Sequence, residues 1–352
     1  MSKNMQLLMR TVVSFVFVVF SLGCGVATAQ TEVTGTWTAS IDQEKISSIH
    51  RTKRDTLDRK KSDKQEAGSV DQDADKQVTA VSLDQAAASG AKGDRIYLDF
   101  ERPTTNGHHS QTGQTFAFAE LQGLTRDQVE RGGPVKFSLV REAGTISCEG
   151  TFQNGKGTGT FRFTGNASFV SAMKNRGFDF ENTSKAWGDE RDSENKLFSA
   201  AVINVTTALA DDLLSADLGK LDIDDLFKAA IFKVDAKFAR EMKASGFPNL
   251  GMEELVKARI FKVDANFVTQ VTQMGFGNQS FESLVQMRIF KVTPEYIAAV
   301  RNEGITNPSV EELVKMKIFK IDSDFIRKAK AEGVPLEVER LVERRIGARH
   351  SQ

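Results

Sequence analysis

The side chains able to act as ligands, nucleophiles or proton carriers are few and scattered. The 352-residue chain has four His (His50, His108, His109, His350) and two Cys (Cys24, Cys148). His108 and His109 are adjacent, but neighbours on a strand point to opposite faces, and no Cys or acidic cluster completes a metal set around them. Asp222, Asp224 and Asp225 have the composition of a calcium loop without its further oxygen ligands or its central Gly. Helix capping accounts for Asp222, and solvent exposure for the other two. HExxH, GxSxG, a Walker loop and CxxC are all missing from the sequence. The expectation is a non-enzymatic protein with no catalytic residue, no metal and no cofactor.

What recurs at fixed spacing is positive charge. Lys233, Lys262, Lys291 and Lys320 stand 29 residues apart, with Arg259, Arg288 and Lys317 just before three of them. Lys257 and Lys315 lie nearby. If these positions stack, they form a basic ladder suited to an acidic protein surface. The competing explanation is local, because a cation at the end of a helix is favoured by the helix dipole. Asn204 interrupts the ladder in the first unit.

The lysines belong to a repeat: IFKVD at 231–235 and 260–264, IFKVT at 289–293 and IFKID at 318–322. A period in this range marks one supersecondary unit stacked into an array. Full units begin at Leu197, Leu226, Leu255, Leu284 and Leu313, and a half unit closes the chain from Leu341. A further half unit opens the array at Asn166, with 179–196 as a polar insertion. Each unit predicts two helices. The first is capped by Ser193, Asp222, Gly251, Ser280 or Ser309, and the second by Thr206, Asp235, Asp264, Thr293 or Asp322. The second carries an inward anchor (Leu209, Phe238, Phe267, Tyr296 or Phe325) and stops at Gly246, Gly275, Gly304 or Gly333. Within IFKVD, Ile and Phe are expected to complete the apolar face of the first helix, and only Lys is left over for function.

The rest of the chain divides by composition. Residues 1–29 read as an export signal, with Lys3 and Arg10 at the basic end, a short apolar run at 11–25 and a small-x-small site at Ala27-Thr28-Ala29. Ser21-Leu22-Gly23-Cys24 offers an alternative lipoprotein anchor at Cys24, although its Leu is one position closer to the Cys than usual. Residues 30–41 supply a first strand around Trp37. Residues 42–93 are charged and poor in apolar side chains, the pattern of a disordered linker. Alternation resumes in the β module, 94–165: strands at 95–102, 115–121, 134–142, 145–152 and 157–164, with 105–114 a polar turn and Asn154-Gly155 a hairpin turn. Segment 166–196 holds the half unit and insertion, and 197–350 the repeat array. The predicted fold is therefore α+β: a small antiparallel sheet or barrel of five or six strands, then an all-α solenoid of helical hairpins. Lys and Arg balance Asp and Glu at 47 each, which gives no global attraction for nucleic acid. No later segment has the length and apolarity to cross a membrane.

The unit L-x-x-x-x-[IV]-F-K-[VI]-[DT]-x-x-[FY], closed by a Gly, resembles extracytoplasmic helical repeats attached to bacterial membrane metallopeptidase sensors of the β-lactam-receptor type. The stretches FAFAELQGL, LVREAGTISCEG and FQNGKGTGTFRF are similar to the module preceding those repeats. The resemblance spans about 94–350. It implies an envelope protein concerned with sensing or assembly and carries over no catalytic residue, because HExxH is missing. The expected function is an exported scaffold, periplasmic or extracellular, that binds another protein through its repeats. The alternative is a ligand-binding sensor with Trp37, Phe100 and Phe116 lining a pocket in the β module.

Overall fold

In the computed structural model, the described residues are 32–41, 94–103, 109–181 and 193–347. The segments expected as export signal and linker, with Cys24, His50, His108 and His350, lie outside them. Seven antiparallel strands form one half-barrel sheet: β1 (Glu32–Ser40), β2 (Arg95–Pro103), β3 (His109–Ala117), β4 (Leu121–Gln122), β5 (Gly133–Arg141), β6 (Gly144–Gln153) and β7 (Lys156–Gly165). Their order is β3-β2-β1-β7-β6-β5-β4. The first strand is thus central, paired on both sides across a long gap in sequence. Asn154 and Gly155 both have positive φ (51° and 73°), as the tight turn between β6 and β7 requires.

Three expectations change. The count is seven strands, not five or six. From His109 onward the expected polar turn is strand β3, held to β2 by backbone bonds along its length. An edge strand needs little apolar alternation, because backbone pairing with its single neighbour suffices to place it. The expected strand at 115–121 ends at Ala117 and passes through a 3-10 turn (Phe118–Glu120) into β4. A short helix that sequence reasoning overlooked, α1 (Arg126–Arg131), follows a Thr125/Gln128 capping box.

Trp37 explains the glycines of the β6–β7 hairpin. Its indole is fully buried, packs edge-on to Phe137, and donates its N–H toward the Glu149 and Thr160 carbonyls at 3.2 and 3.1 Å. It lies over the paired Gly150 and Gly159. A methyl on Gly159 would sit 2.0 Å from the Glu149 oxygen, so any side chain there displaces backbone.

Among the described residues, twelve further helices follow the sheet. The half unit contributes α2 (Ala167–Lys174). The full units contribute α3 (Ser193–Ile203) and α4 (Thr207–Leu214), α5 (Ile223–Phe232) and α6 (Ala236–Ala244), α7 (Met252–Phe261) and α8 (Ala265–Gln273), α9 (Phe281–Ile289) and α10 (Pro294–Asn302), and α11 (Val310–Ile318) and α12 (Ser323–Ala331). The closing half unit is α13 (Val338–Gly347). Every predicted cap of a second helix is made: Thr206, Asp235, Asp264, Thr293 and Asp322 each accept from the backbone amide three residues on, at 2.7–3.3 Å. The first helices of neighbouring units touch in succession, α3 to α5, α7, α9, α11 and α13. No single helix among the described residues is long and apolar enough to cross a membrane.

Sheet and helices share one core. Helix α3 lies against β1, β3, β6 and β7. Its Phe198 is fully buried, stacks on Phe161 at 5.1 Å and meets Phe100 and Phe163 edge-on. The half-barrel therefore receives a helix of the first unit on its inner face. The β5–β6 turn adds a polar clasp: the Glu142 carboxylate accepts from the Thr207 amide and hydroxyl at 2.8 and 2.9 Å. The segment expected to be a polar insertion contains Phe180, which is buried against Phe169 and Phe227 and so joins the half unit to the second full unit.

Phe198→Ala should lower stability by about 3–5 kcal/mol, the usual cost of deleting a buried aromatic ring. Urea unfolding followed by circular dichroism measures it. A change below about 1 kcal/mol would mean that α3 does not hold the sheet.

Candidate interaction surface

In the last four full units the two helices end in the same way but use different residues; in the first unit Asp217 stands where the second helix of the others has Gly. After the first helix, the amide of a buried Val or Ile reaches back five residues: Val205 to Ala200, Val234 to Ala229, Val263 to Ala258, Val292 to Met287 and Ile321 to Met316, at 2.8–3.0 Å. The second helix ends with the same bond, as in Phe247 to Met242 and Val334 to Ala329. This closure needs one residue with positive φ just before the returning amide. At the second end that residue is Gly246, Gly275, Gly304 or Gly333. At the first end it is Lys233, Lys262, Lys291 or Lys320, with φ of 54–58°. Lysine is disfavoured there, because its Cβ crowds the following carbonyl. In the first unit the position is Asn204, a residue that tolerates positive φ.

The expected ladder of cations separates into three groups. Arg259 lies over the Phe238 ring at 3.8 Å, Arg288 over Phe267 at 3.7 Å and Lys317 over Tyr296 at 3.9 Å. Arg345 of the closing half unit lies over Phe325 at 4.3 Å. Each cation thus covers the anchor ring of the preceding unit. In the first unit the anchor is Leu209, and the matching next-unit position is Ala230; ring and cation are replaced together. Burial pulls Arg288 below its ordinary pKa, with Asp264 opposing. Burial also lowers Lys317, with Asp322 opposing and Lys291 adding to the effect. A second group ties first helices to each other: Lys228 to Glu253, Lys257 to Glu282 at 2.6 Å and Lys315 to Glu339 at 2.6 Å. Gln286 breaks that series. Both groups stitch units together, and exposed pairs of this kind contribute about 0.2–1 kcal/mol each.

The third group is the four lysines of positive φ. All four are exposed, and none forms an ion pair among the described residues. Beside them the structure corrects the reading of IFK. The Ile was expected in the core; instead Ile231 and Ile260 are half-buried, and Ile289, Ile318 and Ile346 are 45%, 49% and 41% exposed. The reason is angular: Leu226, Phe227, Ala229 and Ala230 already fill the inward face of α5, and the last turn carries Ile231 out to its rim. Phe232, Phe261, Phe290 and Phe319 are half-buried against the core. On α3, which packs on the sheet, the same positions are Val202 and Ile203, both buried.

Elsewhere the predicted chemistry-bearing residues remain apart. Asp224 is buried and Asp225 returns the Asp222 cap, accepting from its amide at 3.1 Å, so neither is the solvent-facing carboxylate expected. No group of three His, Cys, Asp or Glu side chains among the described residues is placed to hold a metal. Cys148 is buried on β6, and burial pushes its thiol pKa well up. His109 begins the edge strand β3. Trp37, Phe100 and Phe116, considered above as pocket lining, are buried side chains of the core. An open depression of about 470 Å³ lies between Phe276 and Asn307, beside Arg301 and the Ser309 cap.

No protein-family model, characterised protein or solved structure matches this chain significantly.

Replacing any one of Lys233, Lys262, Lys291 or Lys320 by Asn should raise stability by about 0.5–1 kcal/mol, because Asn enters the left-handed region at lower cost. Urea midpoints test this; a loss of stability would mean that the lysine is kept for folding. A second outcome concerns Tyr296, whose hydroxyl donates to the Ile321 carbonyl at 2.8 Å. Its pKa is raised by burial and by Asp322. The folded state therefore favours the neutral phenol, and this stabilisation is complete below the unfolded pKa of about 10 and is lost as pH rises through the folded value. The phenolate absorbance missing from Tyr296→Phe should accordingly appear only well above pH ~10. Titration at or below that value would show that the ring is not buried beside Asp322.

Proposed function

We propose that this protein is an exported, non-enzymatic interaction scaffold whose helical units stack as a solenoid and bind another protein. The observation that carries the reading is the row of recurring ion pairs and ring–cation contacts between consecutive units. Such contacts fix each unit against its neighbour and let identical surface residues return at a regular step. Repeat arrays of this kind work as extended binding surfaces. Export is read from the basic, apolar and small-x-small pattern of residues 1–29. The resemblance of the unit to envelope sensor repeats supports a place in envelope sensing or assembly. The sensor alternative through the β module is disfavoured by Phe198, which packs against Phe100, Phe161 and Phe163.

Deleting residues 226–312 removes three whole units and restores the register at Leu313. Crosslinking in an envelope extract should then recover a different set of partners from that of the full chain. An identical set would exclude the repeats as the binding surface.

A further inference from the structure

We infer that the exposed IFK rungs form the docking stripe itself, and that the occupant is an extended segment of a partner protein presenting an apolar side chain and a carboxylate at each rung. This rests on the scaffold reading above and names its site and the chemistry of its partner.

Two features of the rungs cost the fold and recur nonetheless. The first is the lysine at positive φ. The same unit places Gly where its second helix makes the same closure, and the first unit places Asn204 at this very joint. Gly or Asn therefore serves the fold in this chain, yet Lys stands at the joint in four successive units. A conformationally disfavoured residue held repeatedly in place points to use. The second is the exposed Ile. At two core positions the units drift, although the opening Leu226, Leu255, Leu284 and Leu313 do not: Phe227, Val256, Val285 and Val314 are equivalent, as are Ala229, Ala258, Met287 and Met316. The partly or largely exposed Ile231, Ile260, Ile289 and Ile318 do not vary, nor do the half-buried Phe232, Phe261, Phe290 and Phe319. Ile289 and Ile318 are 45% and 49% exposed and less enclosed than those drifting core positions, so packing alone does not account for their identity. Where α3 lies on the sheet and this face is buried, both features vanish together, as Val202, Ile203 and Asn204.

The occupant follows from charge and spacing. Each exposed lysine lies two residues from a capping side chain, Asp235, Asp264, Thr293 or Asp322, and the carboxylate caps dilute any broad positive field. An anionic bilayer responds to such a field, whereas a partner with placed charges responds to each ammonium. Neighbouring packed helices are about 8–10 Å apart, so rungs on successive first helices return at about that distance. One turn of an extended polyproline-type segment, three residues at about 3.1 Å each, matches that step; the same-face repeat of a β-strand, about 6.8 Å, does not.

The test uses the full chain and fluorescent synthetic peptides built from repeated Pro-Asp-Leu, with Pro-Lys-Leu and Pro-Asp-Ser repeats as controls, read by anisotropy. The Pro-Asp-Leu peptide should bind, weaken with salt, and bind at least about tenfold more weakly to the combined Lys233→Asn, Lys262→Asn, Lys291→Asn, Lys320→Asn variant. It should also bind more weakly to the Ile289→Ser, Ile318→Ser variant. Urea unfolding of each variant shows that a loss of binding is not a loss of fold. Equal binding of the Pro-Lys-Leu peptide, no binding of Pro-Asp-Leu, or an affinity indifferent to the lysines overturns the proposal. So does ladder-dependent sedimentation with phosphatidylglycerol vesicles in place of peptide binding, which would assign the stripe to a membrane. If partners crosslinked in the extract depend on residues 226–312 but not on the four lysines, the stripe assignment fails and the scaffold reading stands.

Discussion

Each unit depends on one left-handed residue at the joint between its helices. The first helix must stop, satisfy its last carbonyls and release the chain toward a capped second helix within a few residues. A backbone bond from a buried Val or Ile amide does this, as in Val263 to Ala258 at 2.8 Å. It requires a positive φ immediately before, supplied by Lys262 at 57°. The next residue but one, Asp264, then caps the second helix. The joint thus sets the direction in which the anchor ring Phe267 enters the core, and that ring receives Arg288 from the following unit. Local backbone geometry propagates into contact between units.

The same economy governs the join to the sheet. A half-barrel leaves one face open, and a row of helices leaves its first member uncovered. Phe198 of α3 answers both needs by entering among Phe100, Phe161 and Phe163. The Glu142 carboxylate holds the start of α4 from the other side. Since no aromatic anchor precedes α5, Ala230 takes the place of the stitching cation. The first unit differs from the others wherever its neighbour is a sheet or the terminus of the series.

Much of this was legible in the chain. The repeat helices, the caps of the second helices and the second-helix glycines follow from residue types in register, because capping and left-handed turns are local requirements; of the expected first-helix caps, Ser193 lies within its helix and Gly251 has no side chain to cap with. The Trp37 strand and the Asn154-Gly155 hairpin were legible for the same reason. The edge strand from His109 was not, since backbone pairing with β2 places a polar sequence without apolar alternation. Nor was the burial of Asp224, or that of Phe180, which depends on Phe227 of the second full unit. The ring–cation pairs left a signal that sequence reasoning overlooked: Leu209 with Ala230 against Phe238 with Arg259, and so on along the chain.

The sequence by itself determined the unit, its period and its two helices, because hydrogen-bond closure at helix ends acts over a few residues. Only the tertiary structure decided which recurring cations face inward. Arg259, Arg288 and Lys317 are absorbed by rings brought from the preceding unit, while Lys233, Lys262, Lys291 and Lys320 remain in solvent. It also moved the Ile of IFK from the core to the rim. Burial is a property of neighbours, and the neighbours of a repeat are set by how whole units stack.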